Sequence, residues 1–96
     1  MTAINLTNAI RLTGVTYRQL DYWVRAGHLH PRNDAGGSGT QRDWPARELR
    51  VARTMGKLAR AGIRVDVAAR IARAIVEDDQ RRVELAPGVL VEVDAA

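Results

Sequence analysis

Residues 13–27, Thr13-Gly14-Val15-Thr16-Tyr17-Arg18-Gln19-Leu20-Asp21-Tyr22-Trp23-Val24-Arg25-Ala26-Gly27, carry the pattern from which the fold can be read. Gly14 is placed to end one helix in the left-handed conformation. Thr16 and Gln19 form a T-x-x-Q capping box that starts another. Within that second helix Leu20, Trp23 and Val24 follow i, i+3, i+4 spacing, the mark of a stripe turned toward a core. Tyr17, Arg18, Asp21, Tyr22 and Arg25 fall off the stripe, Tyr22 at its margin, and Gly27 supplies the stop. The stretch therefore predicts a glycine turn leading into a capped helix, apolar on one face and aromatic and cationic on the other. Such a helix is suited to lying in a DNA groove.

Upstream, a short helix is expected from about Leu6 to Thr13, capped by Asn5 or Thr7, with Ala9, Ile10 and Leu12 facing inward. Two short helices joined by Thr-Gly-Val make a helix-turn-helix. Downstream, His28 to Trp44 does not read as helix. Extended pieces near His28–Arg32 and Thr40–Trp44 flank a glycine-rich stretch, Asn33 to Gly39, and predict a hairpin wing. Pro45 suits a first helical position. It opens a third helix running to about Ala61, with Leu49, Ala52, Met55, Leu58 and Ala59 inside, stopped by Gly62. A fourth helix is expected over Asp66–Asp78, with Ala68, Ile71, Ala72 and Ile75 on one face. Gly14-Val15 and Gly62-Ile63 read as two uses of one helix–glycine–branched-residue turn. The tail Arg82–Asp94 turns strand-like, with Val83-Glu84-Leu85 and Val89 to Val93 separated by Ala86-Pro87-Gly88. The expected fold is mainly α with a small β wing: a winged helix-turn-helix with two further helices and a C-terminal β tail. The division falls between a domain at 1–79 and a tail at 80–96.

Ninety-six residues make one small domain with a modest core, and 46% hydrophobic with 27% charged residues is a globular composition. The formal net charge is +4, and Lys57 is the only lysine among fifteen basic residues. Arginine suits planar contacts with phosphate and guanine better than lysine does. Residues 1–60 hold ten basic side chains against four acidic ones, and residues 61–96 hold five against seven. One end of the molecule is built for a polyanion and the other is not. The absence of cysteine excludes a disulfide scaffold, thiolate zinc sites and thiol catalysis. No apolar run reaches membrane-spanning length and no secretory pattern opens the chain, so no membrane association is expected. The expected location is the host cell cytoplasm or nucleoid.

The ordered set Leu12-Thr13-Gly14-Val15-Thr16, Leu20-Asp21-Tyr22-Trp23, Gly27-His28-Leu29, Pro31, Gly39, Arg42-Asp43-Trp44, Leu49, Leu58, Ala61-Gly62-Ile63 and Val67 resembles the winged-helix domain of MerR-type proteins. It is also similar to the related small phage excisionases, the recombination directionality factors. The resemblance covers roughly residues 4–76. It implies a MerR-type winged helix that binds and bends double-stranded DNA in sequence-specific fashion. Asp21 stands where family members commonly carry arginine, so a phosphate contact there is not carried over. MerR regulators continue into a long coiled-coil helix and often an effector domain. Here a strand-rich tail follows instead, so effector sensing and coiled-coil dimerisation are not expected.

The candidate recognition residues are Thr16, Tyr17, Arg18, Gln19, Tyr22 and Arg25, with Gln19 alternatively occupied by the capping box. The candidate wing contacts are Gly37, Ser38, Gly39, Thr40, Gln41 and Arg42, where glycines let a hairpin tip approach a groove closely. Arg47 and Arg50 are read equally as phosphate contacts or a solvated face, and Arg70 and Arg73 as a solvated face. Trp23 and Trp44 are expected in the core rather than as stacking platforms. His28 and His30 alternate but have only Asp34 near them, so no metal is expected. No cofactor and no catalytic constellation is expected, and the chain is not read as an enzyme. Val89, Leu90, Val91 and Val93 form an apolar edge that self or a neighbouring copy must cover, which makes self-association a candidate role. The leading expectation is an excisionase whose copies assemble on DNA, as a homo-oligomer or cooperatively, and assist a phage integrase. The alternatives are a small MerR-like transcriptional regulator and a protein-interaction module such as an anti-repressor.

Overall fold

Asn5 opens the first helix. Its Oδ1 accepts the Asn8 amide at 3.0 Å, and α1 runs Leu6–Thr13 to Gly14, which sits at φ 74°. Thr16 then caps α2, Tyr17–Arg25. A computed structural model describes this and the rest of the molecule over residues 5–33 and 42–94. The order continues with β1 Arg32–Asn33, β2 Arg42–Asp43, α3 Ala46–Arg60, α4 Val65–Glu77, β3 Arg82–Ala86 and β4 Val89–Glu92. The architecture is that of a mainly helical winged helix-turn-helix with a two-stranded tail.

Inward-facing side chains of α1, α2 and α3 meet in one cluster around Leu20, Trp23, Leu29, Trp44, Val51 and Met55. Both tryptophans are buried, Trp23 at 2% and Trp44 at 0% exposure, as core residues rather than stacking platforms. A second cluster of Leu58, Ala68 and Ile71 lies between α3 and α4 and continues under the tail. Leu12 departs from expectation and is 53% exposed. Ala9 and Thr13, four residues apart, define the buried line of α1, and Leu12 lies one step, about 100°, round the helix from it. Thr13 is tolerated inside because its hydroxyl donates to the Ala9 carbonyl at 2.7 Å. Ala59 and Ile75 are half-buried rather than interior, whereas Val51, Gly56 and Ala69 are buried.

Gly27 at φ 85° and Gly62 at φ 93° are the matching pair of helix stops. After α2, Gly27 N–H donates to Val24 and His28 N–H to Trp23. After α3, Gly62 N–H donates to Ala59 and Ile63 N–H to Leu58. Both are Schellman closures. Gly14 differs, since its amide donates to Ile10 in a single 5→1 bond.

The wing strands are shorter than expected. β1 and β2 pair only as Arg32↔Asp43 and Asn33↔Arg42. The reason lies in residues 28–30, whose backbone groups are already bonded to the end of α2 and to side chains described below.

In the tail, β3 and β4 pair antiparallel within the chain, with Arg82↔Glu92, Val83↔Val91 and Glu84↔Leu90 opposite one another. Pro87 and Gly88 turn the hairpin, Gly88 at φ 81° as the third position of a Pro-Gly turn requires. Val83, Leu85, Val91 and Val93 pack on the second cluster, so Glu84, Leu90 and Glu92 are left exposed.

Candidate nucleic-acid interface

Leu20 and Trp23, at 0% and 2% exposure, set the roll of α2 about its axis. With those two side chains seated, Tyr17 and Tyr22 stand 53% and 62% exposed, and Arg18 and Arg25 lie on the solvent side. The first turn contains no acidic residue. Arg18 therefore adds to the positive N-terminal end of the helix dipole instead of cancelling it. Arg18 makes no ion pair among the described residues. Arg25 is held through Nε by Asp21 at 2.9 Å, an i, i+4 pair on an exposed surface. That contact restrains the guanidinium of a side chain that is 75% exposed.

The capping box is fully formed. Thr16 Oγ1 accepts the Gln19 amide at 3.1 Å, and Gln19 Oε1 accepts the Thr16 amide at 2.9 Å. The Gln19 oxygen is thus committed to the fold, and its side-chain NH2 is what remains to meet a base edge.

The segment between α2 and the wing is fixed by two residues outside it. Glu48, the only acidic residue of α3, accepts the His30 amide at 2.7 Å. Arg73 of α4 grips the same carboxylate with both terminal nitrogens, at 2.6 and 2.7 Å. It also donates to the His28 carbonyl at 3.0 Å and meets Glu77 at 3.2 Å. Arg73 was expected on a solvent face and is instead 21% exposed, against 8% for Glu48. Burial pushes the Glu48 carboxyl up, but the Arg73 guanidinium and the His30 amide outweigh it and hold the group below its usual range. The Glu48 hydrogen bonds raise Arg73 against the opposing effect of burial. The backbone of residues 28–30, lying between recognition helix and wing, is thereby clamped to α3 and α4. Sequence reasoning did not single out Glu48. Its signal was a lone acid in the first turn of an arginine-rich helix, where the dipole favours it, but nothing local names its partners.

Two contacts seat the helix-turn-helix on α3. Arg60 donates to the Gly14 carbonyl at 2.6 Å. Val15 packs over Gly56, where a Cβ would stand 2.6 Å from Val15 Cγ1. Gly56 is therefore required by the close approach of the turn to the helix rather than by backbone torsion.

The other expected site residues are dispersed. Gly37, Ser38, Gly39, Thr40 and Gln41 lie outside the described residues, and Arg42 is described only as backbone of β2. Arg47 is exposed near the start of α3. Arg50 is exposed too and lines a cleft toward the end of α4, with no described residue of α1, α2 or the wing in its walls. In the tail, Val91 and Val93 are partly covered by the chain's own helices, and Val89 and Leu90 remain exposed. Among the described residues no group of three or more His, Cys, Asp or Glu is placed to hold a metal ion, and no helix is long and apolar enough to cross a membrane.

Comparison with known proteins agrees with this geometry. The family model described as MerR HTH family regulatory protein matches residues 4–75. An HTH-type transcriptional regulator of Mycobacterium bovis and two of Mycobacterium tuberculosis are each 39% identical to this chain over 57 residues. The matched stretch is 58% of this chain, which spans about a quarter (25%) of the length of these relatives. The α2 face, the wing root and the helix pair that clamps them all fall within the family match, and the chain belongs to the MerR family of helix-turn-helix DNA-binding regulatory proteins.

Proposed function

We propose that the chain is a transcriptional regulator that reads a short duplex operator with α2 in the major groove and its wing against the adjacent backbone. The observation that carries the reading is the outward face of α2, where Tyr17, Arg18, Tyr22 and Arg25 stand exposed on a helix whose roll is locked by two buried side chains. A recognition helix presents its N-terminal residues to base edges while cationic groups hold the phosphates. In that arrangement Arg18 reads or approaches a base, Gln19 donates from its amide nitrogen, and Arg25 and Tyr22 track the backbone. Arg42 and Arg47 supply further phosphate contacts. The named relatives are regulators, which favours an operator over a recombination site. Excision with a phage integrase, and DNA bending in its service, have no further observation behind them.

The test is selection of a duplex from a random library, followed by titration of the chain against it at several salt concentrations. Six neutralised phosphates correspond to a log–log slope of about −5. Footprinting on the neighbouring genome then separates the roles. One protected operator overlapping a promoter supports regulation, and several phased copies at an attachment site support excision. No duplex binding at low salt would overturn the DNA reading and point to an acidic protein partner.

A further inference from the structure

We infer that the cleft between α3 and the end of α4 receives the outward face of the β3–β4 hairpin of a second copy of this chain. The cleft has a volume of about 240 Å³. Arg50, Arg53 and Lys57 line it from successive turns of α3, and Arg81 lines it from the segment before β3. Ile75 and Val76 form an apolar wall, and Asp79 and Asp94 are the carboxylates present. Positive groups thus outnumber negative ones. Arg50, Arg53 and Arg81 make no ion pair among the described residues. The site fits an acidic group carried on an apolar body.

The molecule displays such a group elsewhere. On the outward face of the hairpin, Glu84 stands opposite Leu90 in the ladder, and Glu92 lies two residues beyond Leu90. Leu90 is 61% exposed and Val89 48%. The result is a leucine beside the Glu84 carboxylate, which has no ion pair among the described residues, while Glu92 on the same face is paired with Arg82 at 3.7 Å. This face cannot reach the cleft of its own chain, because the opposite face, through Val83 and Val91, is packed on its own helices. Only another copy can bring the two surfaces together. Each copy then offers one cleft and one hairpin, so the contact is head-to-tail and open-ended. A patch this small lies below the area of a stable interface. Association is weak in free solution and is strengthened when copies sit side by side on one duplex, through raised effective concentration.

The test uses the full chain in sedimentation equilibrium, up to about 1 mM, where weak contacts still register. Wild type is expected to associate reversibly, less so as salt rises. Arg53→Glu and Glu84→Arg are exposed charge reversals, and each is expected to lower the association constant about tenfold or more. Mixed together, they are expected to recover association, because the intact hairpin of the first fits the intact cleft of the second and the reversed charges at 53 and 84 again face opposite charges. Circular dichroism verifies that both variants are folded, and Leu90→Ser replaces Glu84→Arg if that one is not. The proposal is overturned if wild type stays monomeric throughout, or if the mixture stays monomeric. It is equally overturned if Arg53→Glu assembles like wild type, whether because hairpins pair with each other or because the cleft meets DNA phosphates alone.

Discussion

α2 and α4 are both amphipathic helices with arginines off the apolar stripe, yet the arginines have opposite fates. Arg18 of α2 projects from the surface with no ion pair among the described residues. Arg73 of α4 is forked onto a buried carboxylate and a backbone carbonyl, and serves the interior. What separates them is the element facing each. α4 lies against α3, which presents Glu48, whereas among the described residues no acid is paired with Arg18 on the outer face of α2. An arginine with a complementary acid across a packed interface becomes structure. One without such an acid remains available to an external anion.

The strongest way to break this contrast is Arg73→Ala. Loss of one partner leaves Glu48 nearly buried and uncompensated, and stability should fall by about 3 kcal/mol in urea unfolding. Arg73→Lys should recover little, since an ammonium cannot fork onto both oxygens. An unchanged unfolding midpoint would mean that Arg73 is as idle in the fold as Arg18.

Arg18→Ala tests the other side. It should weaken duplex binding by about 1–3 kcal/mol if it reads a guanine, and less if it touches phosphate alone. Stability should stay within about 0.5 kcal/mol, as for other surface changes. Intact affinity would remove Arg18 from the interface.

Gly56→Ala sharpens the comparison by disturbing the seat of the helix-turn-helix without touching either arginine. A methyl group here meets Val15 at 2.6 Å. Overpacking outweighs the gain in helix propensity, for a net loss of about 1–2 kcal/mol. Gly56→Ala combined with Val15→Ala should recover part of it. Thr16→Ala removes the α2 cap and should lower stability by about 1 kcal/mol, read as an earlier thermal midpoint.

The mildest expected effect is acid sensitivity of the clamp. Glu48 titrates below its ordinary value in the folded chain. Its stabilisation is therefore complete above the ordinary glutamate range and drains away as pH falls through the lowered value. Thermal midpoints followed from about pH 6 to about pH 3 should fall less steeply in Glu48→Gln than in wild type. Parallel curves would assign the acid response to other carboxylates.

The helices were legible because each carries its own punctuation. Asn5 and Gly14 bound α1, the Thr16–Gln19 box and Gly27 bound α2, and Pro45 and Gly62 bound α3. The outward face of α2 followed from the spacing of Leu20 and Trp23 alone. The wing strands were overextended in the sequence reading because alternation at His28–Arg32 looks like a strand. In the fold the amides of residues 28–30 go to Trp23 and Glu48 instead. Leu12 was misplaced because eight residues are too few for periodicity to fix the centre of the buried arc.

Local sequence settled which segments are helical, where they stop, and which face of α2 is apolar, because caps, glycine torsions and i, i+3, i+4 spacing act within a few residues. Only the packed molecule decided that Arg73 belongs to Glu48, that Gly56 must lack a side chain beneath Val15, and which face of the tail hairpin is left over. Those choices depend on groups 25 or 41 positions apart being brought within a few ångströms. No local propensity encodes such a meeting, since it exists only once burial of a shared core has brought the helices together.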